Sequence, residues 1–144
     1  MANLPHVTED DIRAKVTEQS YDRGVDYYHS CTVESATLRG NRLFASVQGS
    51  EWDPYQVGIT FSEADFTASC TCPYDWGGYC KHVVAALLTV SDDNSPIPVV
   101  VKPRVADLVA EMDVASLRAL VCQLIDADPG LADIVDAFSA GGLT

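Results

Sequence analysis

Residues 70–82 read Cys70-Thr71-Cys72-Pro73-Tyr74-Asp75-Trp76-Gly77-Gly78-Tyr79-Cys80-Lys81-His82. This stretch holds three of the chain's five cysteines and one of its three histidines. Three thiols and one imidazole are a complete four-coordinate donor set for zinc. Packing alone rarely produces such a cluster, so we predict one structural zinc ion held by Cys70, Cys72, Cys80 and His82.

The spacing of these four residues predicts the structure on either side of them. Residues i and i+2 of an extended segment point to the same face, so Cys70 and Cys72 can offer both sulfurs to one ion from the end of a strand. Pro73 has no N–H and discourages further strand pairing. Cys80 and His82 stand where an apolar helix begins, and the helix dipole favours a thiolate there. The pattern therefore predicts a strand, a turn and a helix around the metal.

Length and composition indicate a globular protein. The chain has 144 residues and a hydrophobic content of 47%, which suit one domain with a small appendage. Its apolar runs are far shorter than the roughly 18 residues of a membrane span, and we find no signal peptide. We therefore expect a cytoplasmic protein with no membrane association. A reducing cytosol suits a thiolate–metal site better than a disulfide framework.

The net charge of −12 bears on both partners and solvent. Non-specific DNA binding depends on neutralising phosphates with Lys and Arg, and nine basic residues against 21 acidic ones disfavour it. The acidic residues are mostly Asp, and only three of the basic ones are Lys. Such an acidic surface has two explanations of equal weight: a high-salt cytoplasm, as in a halophile, or ordinary solubility conferred by charge.

Hydrophobic periodicity predicts a mixed α+β fold. A short helix capped by Thr8 runs to about Glu18, and a second helical segment follows at 20–30. The period then changes to two over residues 32–70, which predicts a three- or four-stranded antiparallel sheet. The helix that begins near Cys80 packs on this sheet.

A segment with three prolines divides the chain. Residues 91–103 are expected to be an extended linker, in which Val99-Val100-Val101 either form a short strand or lie over an apolar groove. We therefore assign residues 1–90 to a domain of N-terminal helices, antiparallel sheet and metal site. Residues 104–144 are assigned to a C-terminal helical hairpin with a third short helix.

The metal-site residues resemble a known family. The run Cys70-x-Cys72-Pro73, a short insert and then Cys80-Lys81-His82-Val83-Val84-Ala85 is similar to the SWIM zinc finger, which is defined by C-x-C, a variable gap and C-x-H. The segments Ser20-Tyr21-Asp22-Arg23-Gly24 and Val47-Gln48-Gly49-Ser50 extend the similarity to roughly residues 18–90. The resemblance implies zinc at the four predicted ligands, a ββα-like finger, and a role in binding nucleic acid or protein.

Basic and aromatic residues near the predicted turns are candidates for contact with a partner. They suit stacking on nucleic-acid bases, or a protein-binding patch, since Trp, Tyr and Arg dominate binding hot spots. In the alternative, several of the aromatic rings only cover the zinc and the sheet. The candidates are Arg39, Arg42, Trp76, Tyr79 and Lys81. The remaining cysteines, Cys31 and Cys122, are expected to be small buried apolar residues.

The sequence does not indicate catalysis. We find no Ser/His/Asp constellation and no glycine-rich phosphate loop, and four protein ligands leave zinc no open position for a substrate. The prediction is a zinc-binding, non-catalytic interaction module that mediates protein–protein contacts in a larger assembly, with no small-molecule substrate. The alternative is an accessory protein that binds DNA through the finger and the nearby Arg and aromatic residues.

Overall fold

The computed structural model describes residues 5–63, 65–74 and 77–141. Its helices are α1 (Glu9–Arg13), α2 (Glu18–His29), α3 (Lys81–Ser91), α4 (Val105–Ala110), α5 (Val114–Ala127) and α6 (Ala132–Ser139), with a 3-10 turn at Pro129–Leu131. Its strands are β1 (Val33–Arg39), β2 (Arg42–Val47), β3 (Tyr55–Ser62), β4 (Asp65–Cys70) and β5 (Val99–Lys102). The predicted α+β class, with helices before and after a small sheet, is confirmed.

Five strands form one sheet in the order β4-β3-β2-β1-β5. Strands β1 to β4 are an antiparallel meander, in which Ala36 pairs with Ala45, Ala45 with Val57, and Val57 with Cys70. The prediction of a three- or four-stranded antiparallel sheet is therefore confirmed for these four strands. The fifth strand, β5, pairs in parallel with β1, with Val99 opposite Ala36. Residues 99–101 are all valine, so no alternation of apolar and polar residues distinguishes a strand from a segment that covers an apolar groove. Their pairing with β1 shows that they form a strand.

The hydrophobic core lies between one face of the sheet and helix α3. Buried residues alternate with outward-facing ones along β3, as the pleat of a half-buried strand requires. Eight of the eleven residues of α3 are buried, and this helix contacts α2 and strands β1 to β4. The approach of α2 to α3 depends on Gly24, where a Cβ would lie 2.3 Å from the Cβ of Val84.

Side-chain caps set the bounds of the first two helices. The N–H of Asp11 donates to the hydroxyl of Thr8, and the N–H of Thr8 donates to the carboxylate of Asp11. This reciprocal pair is a capping box. The helix predicted through Glu18 is too long, because the hydroxyl of Thr17 accepts the N–H of Ser20 and starts α2 there.

The chain divides into two compact units, Met1–Pro103 and Arg104–Thr144, called here the sheet unit and the helical unit. The sheet unit holds α1 to α3, all five strands and the core. The helical unit holds α4 to α6, and none of the residues in these three helices is buried. None of the described helices is both long enough and apolar enough to cross a membrane.

Candidate metal centre

The four predicted ligands come together in the structure from three different elements. Cys70 is the last residue of β4, Cys72 lies in the loop that follows, and Cys80 immediately precedes α3, whose first turn contains His82. Their donor atoms all lie within 4.8 Å of one another. Pairing of Cys70 with Val57 fixes one side of the cluster to the sheet, and α3 fixes the other to the core.

The distances within the cluster fit one zinc ion. The Nδ1 atom of His82 lies 3.7 Å from Sγ of Cys70 and 3.6 Å from Sγ of Cys80. In a tetrahedral site with Zn–S near 2.3 Å and Zn–N near 2.05 Å, neighbouring sulfur and nitrogen atoms are roughly 3.6 Å apart. The cysteines are free thiols, so none of the donors is taken by a disulfide. Donor types, number and spacing therefore suit zinc.

The thiols lie close enough to alter one another's pKa. A hydrogen bond from the Cys70 thiol lowers the pKa of Cys80 to about 4, because the thiolate of Cys80 is the acceptor. The same hydrogen bond, together with burial, raises the pKa of Cys70, and burial raises the pKa of Cys72. A divalent cation bound here would supply the positive charge that lets all three exist as thiolates.

Two tyrosine rings contact the imidazole of His82. Its ring centroid lies 4.6 Å from that of Tyr55 and 5.4 Å from that of Tyr27. Gly49 leaves room for this packing, because a Cβ there would lie 2.3 Å from the ring of Tyr55 and 3.3 Å from Nε2 of His82. Since Nδ1 faces the sulfurs, zinc bound there leaves the proton on Nε2. That nitrogen is buried and has no hydrogen-bond partner among the residues that the structure describes.

Two of the residues predicted to contact a partner lie beside the metal cluster, in different surroundings. Lys81 is half-buried, and its Nζ lies 4.6 Å from the ring centroid of Tyr27. Tyr79 packs on Phe66 with ring centroids 5.7 Å apart, so its ring covers the core. Trp76, the third residue predicted near the finger, lies outside the described residues.

The two hairpin arginines lie away from the metal cluster. Arg39 and Arg42 pair across the β1–β2 turn. Arg42 stands opposite Thr60 on β3, whereas Cys70 stands opposite Val57. These partners are three residues apart, so the arginine is displaced by roughly 10 Å along the strands and by two strand spacings across the sheet. The hairpin tip and the finger are therefore separate surfaces.

Both hairpin arginines also have partners within the chain. Nη1 of Arg39 donates to the backbone carbonyl oxygen of Pro103 at 2.7 Å. The guanidinium of Arg42 lies 5.3 Å from the ring centroid of Phe44 on the outer face of β2. The first contact ties the end of β1 to the end of the segment that carries β5.

The prediction that Cys31 and Cys122 are buried is wrong, because both are exposed. Cys31 follows α2 in a turn, where its backbone has a φ of 59°. Cys122 belongs to α5, which has no buried residue. Cysteine is buried only where the surrounding structure provides a core, and neither position does so.

Sequence reasoning missed one wall of the site. Ser20, Arg23 and Tyr27 of α2 line a cavity beside the metal cluster, together with Ser50 and Tyr55. The first three are spaced i, i+3 and i+7, which places them on one face of the helix. That spacing is visible in the sequence, but only the packing of α2 on α3 shows what the face meets.

Comparison with known proteins assigns a family to the finger. The family model of the SWIM zinc finger matches residues 55–91. The match runs from the first residue of β3 to the last residue of α3, and it includes all four clustered donors. The similarity expected for residues 18–54 lies outside it. No curated protein and no solved structure matches the chain significantly. The chain therefore matches the SWIM zinc finger over residues 55–91, the segment that carries the four clustered donors.

Proposed function

We propose that this protein is a non-catalytic interaction module, in which one structural zinc ion holds the finger together and the helical unit docks on a protein partner. The exposed apolar surface of the helical unit is the observation that carries this proposal. Clusters of large exposed apolar side chains mark interaction sites. Its large exposed side chains include Val114, Val121, Leu124, Ile134, Val135 and Phe138.

The apolar residues of α5 follow the helical period. An open apolar surface on this helix is formed by Val114, Leu117, Arg118, Val121 and Cys122. These positions are i, i+3, i+4, i+7 and i+8, which is one stripe of a helix. On α6, the exposed apolar residues are likewise three and four positions apart. Such stripes are the anchors by which a helix enters an apolar groove on a partner.

No residue is buried in the described part of the helical unit, residues 104–141, so this part forms no core of its own. A segment of about 40 residues that buries little surface is not expected to be stable alone. A partner would supply the missing contacts, and its charge can be inferred. Residues 104–144 contain two arginines and seven acidic residues, a net charge of −5. This charge favours a partner whose apolar surface has a basic rim, and it opposes association with a second copy of the unit.

The absence of catalysis is part of the same proposal. Cys70, Cys72, Cys80 and His82 supply the four donors that a structural zinc site uses, and a catalytic site would keep one position open. Zinc in this role contributes folding free energy and positions β4 against α3. Zinc thus has a structural role within the sheet unit, and the helical unit supplies the binding surface.

Nucleic-acid binding has less support as the alternative. The hairpin arginines contact Pro103 and Phe44, lie away from the finger, and belong to a chain of net charge −12. An electrophoretic shift assay with single- and double-stranded DNA at two salt concentrations tests it. We expect no shift at either concentration, and a salt-sensitive shift that is lost in the double variant Arg39→Gln/Arg42→Gln would favour the alternative.

The docking proposal is tested by affinity capture with the zinc-loaded full chain from a native cytosolic extract. We expect a specific protein to be retained by the wild-type chain and lost with the double variant Leu124→Ser/Phe138→Ser. Gln123→Ser changes an exposed residue of the same helix and is the matched control. Equal capture by the double variant and the control, with equal zinc content, would overturn docking through this surface.

A further inference from the structure

The outer face of the sheet carries three basic side chains in one row, at the end away from the metal cluster. Arg39 of β1 stands opposite Arg42 of β2, and Lys102 of β5 stands opposite Arg39 on the other side. The neighbouring residues Leu38 and Leu43 are buried, so the arginines lie on the outer face, and directly paired residues share a face. These three residues are called here the basic row, which spans about 10 Å across three strands.

The charges of the basic row are not compensated within the described part of the chain. Like charges directly opposite each other on neighbouring strands destabilise a sheet. None of the salt bridges among the described residues involves a member of the row. The contacts of Arg39 and Arg42, a backbone carbonyl and an aromatic ring, carry no negative charge. A bound anionic group would therefore relieve the repulsion within the row.

The acidic residues of the strands stand apart from the basic row. Glu34 precedes Arg39 by five residues on β1, which is roughly 17 Å along an extended strand. Asp65 lies on β4, two strands away from Arg42, and forms a salt bridge with Lys15. The five strands thus contain three basic and two acidic residues, in a chain with nine basic and 21 acidic ones. This end of the outer face is locally basic.

Two exposed apolar side chains border the basic row. Phe44 is 46% exposed and Val100 is 48% exposed. Phe44 follows Arg42 by two residues and Val100 precedes Lys102 by two, so each lies on the same face as the row. Both stand opposite Thr37 on β1, one on either side of it. The face therefore offers charge and apolar surface together, a combination typical of protein-binding hot spots.

We propose that this face docks an acidic segment of a partner protein, with carboxylates on the basic row and an apolar side chain against Phe44 and Val100. Charge complementarity is the argument for this occupant, and a row of about 10 Å suits two or three carboxylates. A long polynucleotide would extend beyond the row over a chain of net charge −12, which repels it. This docking surface belongs to the sheet unit and is separate from the apolar surface of the helical unit.

Fluorescence anisotropy tests the proposal, with the zinc-loaded full chain and a labelled synthetic peptide of glutamate, phenylalanine and glycine residues. A peptide with glutamine in place of each glutamate is the control ligand. We expect saturable binding of the glutamate peptide, at least about tenfold tighter than binding of the glutamine peptide, because three exposed charge pairs together contribute on this scale. Added salt should weaken this binding, since it screens exposed charges. Equal binding of the two peptides would overturn the proposal.

Competition with a single-stranded oligonucleotide tests the other class of polyanion. Unlabelled glutamate peptide should displace the labelled peptide at a lower concentration than the oligonucleotide does. The reverse order would overturn the proposal and assign the face to nucleic acid.

Charge-matched variants decide whether the basic row forms the site. Arg42→Gln/Lys102→Gln changes two exposed residues and should weaken binding of the glutamate peptide about fivefold or more. Arg23→Gln/Arg118→Gln removes the same charge from exposed positions outside this face and should leave the affinity within about twofold. Equal zinc content and helix content show that both variants fold. Equal weakening by the two double variants would mean that only the overall charge matters, against the proposal.

A second pair of variants tests the apolar border. Phe44→Ser should weaken peptide binding about fivefold, because the ring loses its contact with the apolar side chain of the peptide. Trp52→Ser changes another exposed aromatic residue, which lies in the loop before β3, and should have no effect. Leu124→Ser/Phe138→Ser, in the helical unit, should also leave peptide affinity unchanged. An equal effect of Phe44→Ser and Trp52→Ser would contradict a role for the apolar border.

Discussion

Helices α3 and α5 are similar in composition and opposite in burial. Seven of the eleven residues of α3 and ten of the fourteen of α5 are apolar. Eight residues of α3 are buried, and none of α5 is. The difference does not come from helix formation, since both helices have regular starts and ends. It comes from what stands next to each helix.

The sheet unit supplies α3 with a partner on every side. The sheet, α2 and the metal cluster surround it, so that Leu87 and Val84 have no exposed surface. Helix α5 has short neighbours only, and Leu124 remains 48% exposed. The comparison teaches that an apolar helix in this chain can be enclosed in a core or exposed, and that sequence composition does not distinguish the two.

Loss of the metal should have the largest effect, because it should expose α3 as α5 is exposed. Cys80→Ser, or treatment with a chelator, should unfold the region from β4 through α3, because structural zinc contributes on the order of 10–16 kcal/mol of apparent binding free energy. Zinc analysis together with amide hydrogen exchange measures this. Cys122→Ser removes an exposed thiol of α5 and should change neither zinc content nor exchange. A chelated chain with full protection in α3 would show that the cluster does not hold the fold.

Replacing one leucine by alanine in each helix should show the difference in burial between α3 and α5 as a smaller difference in stability. Leu87→Ala leaves a cavity in a closed core and should cost about 2–5 kcal/mol of unfolding free energy. Leu124→Ala removes a half-exposed side chain and should change stability by less than about 0.5 kcal/mol. Urea unfolding followed by residue-resolved hydrogen exchange measures both. Similar costs at the two positions would mean that α5 is packed in solution.

Acidification should have the smallest effect on stability, and it should act through a different carboxyl group in each unit. In the sheet unit, the hydroxyl of Tyr28 donates to Asp92 at 2.5 Å and lowers the pKa of that carboxyl. In the helical unit, the backbone N–H of Ser116 donates to Asp113 at 2.7 Å and lowers its pKa. Both carboxyls have folded-state pKa values below the ordinary 3.8. Their contribution to stability is therefore complete above pH 4–5 and is lost as the pH falls through the folded-state values.

Carbon-13 NMR of the two carboxyl groups, recorded with helix content against pH, checks this prediction. Protonation of Asp113 should loosen the first turn of α5 without altering the amide exchange of α3. Protonation of Asp92 should weaken the contact between α2 and the end of α3. Asp92→Asn should remove the pH dependence of the contact between α2 and α3 and leave that of the first turn of α5. Titration of both carboxyls at pKa values of 3.8 or higher would show that these hydrogen bonds do not persist in solution.

Local patterns in the sequence predicted most of the sheet unit. Alternation in β3 and the hairpin at Arg39 and Arg42 follow from the two-residue period of a strand, which depends only on neighbouring residues. The cap at Thr8 is equally local. The position of β5 was beyond this reasoning, because its parallel pairing joins residues more than 60 positions apart.

The four donors of the metal cluster could be predicted from the sequence, whereas the residues that surround them could not. The four donors lie within thirteen residues, so their spacing alone indicates a shared ion. The ring nitrogen that faces the sulfurs, the two tyrosines around His82 and the cavity beside the cluster depend on α2 and β3, which are distant in sequence. The expected burial of Cys31 and Cys122 failed for a related reason: burial is a property of the whole fold.

The sequence by itself determined the donor set for zinc, the finger, the strand and helix segments and the acidic character of the chain. Each of these depends on residue type or on spacing over a few residues. Only the tertiary structure decided that α3 is enclosed while α5 is exposed, and that Lys102 stands in one row with Arg39 and Arg42. Burial and convergence require segments from distant parts of the chain to meet, and no local pattern encodes which surfaces remain uncovered once they have met.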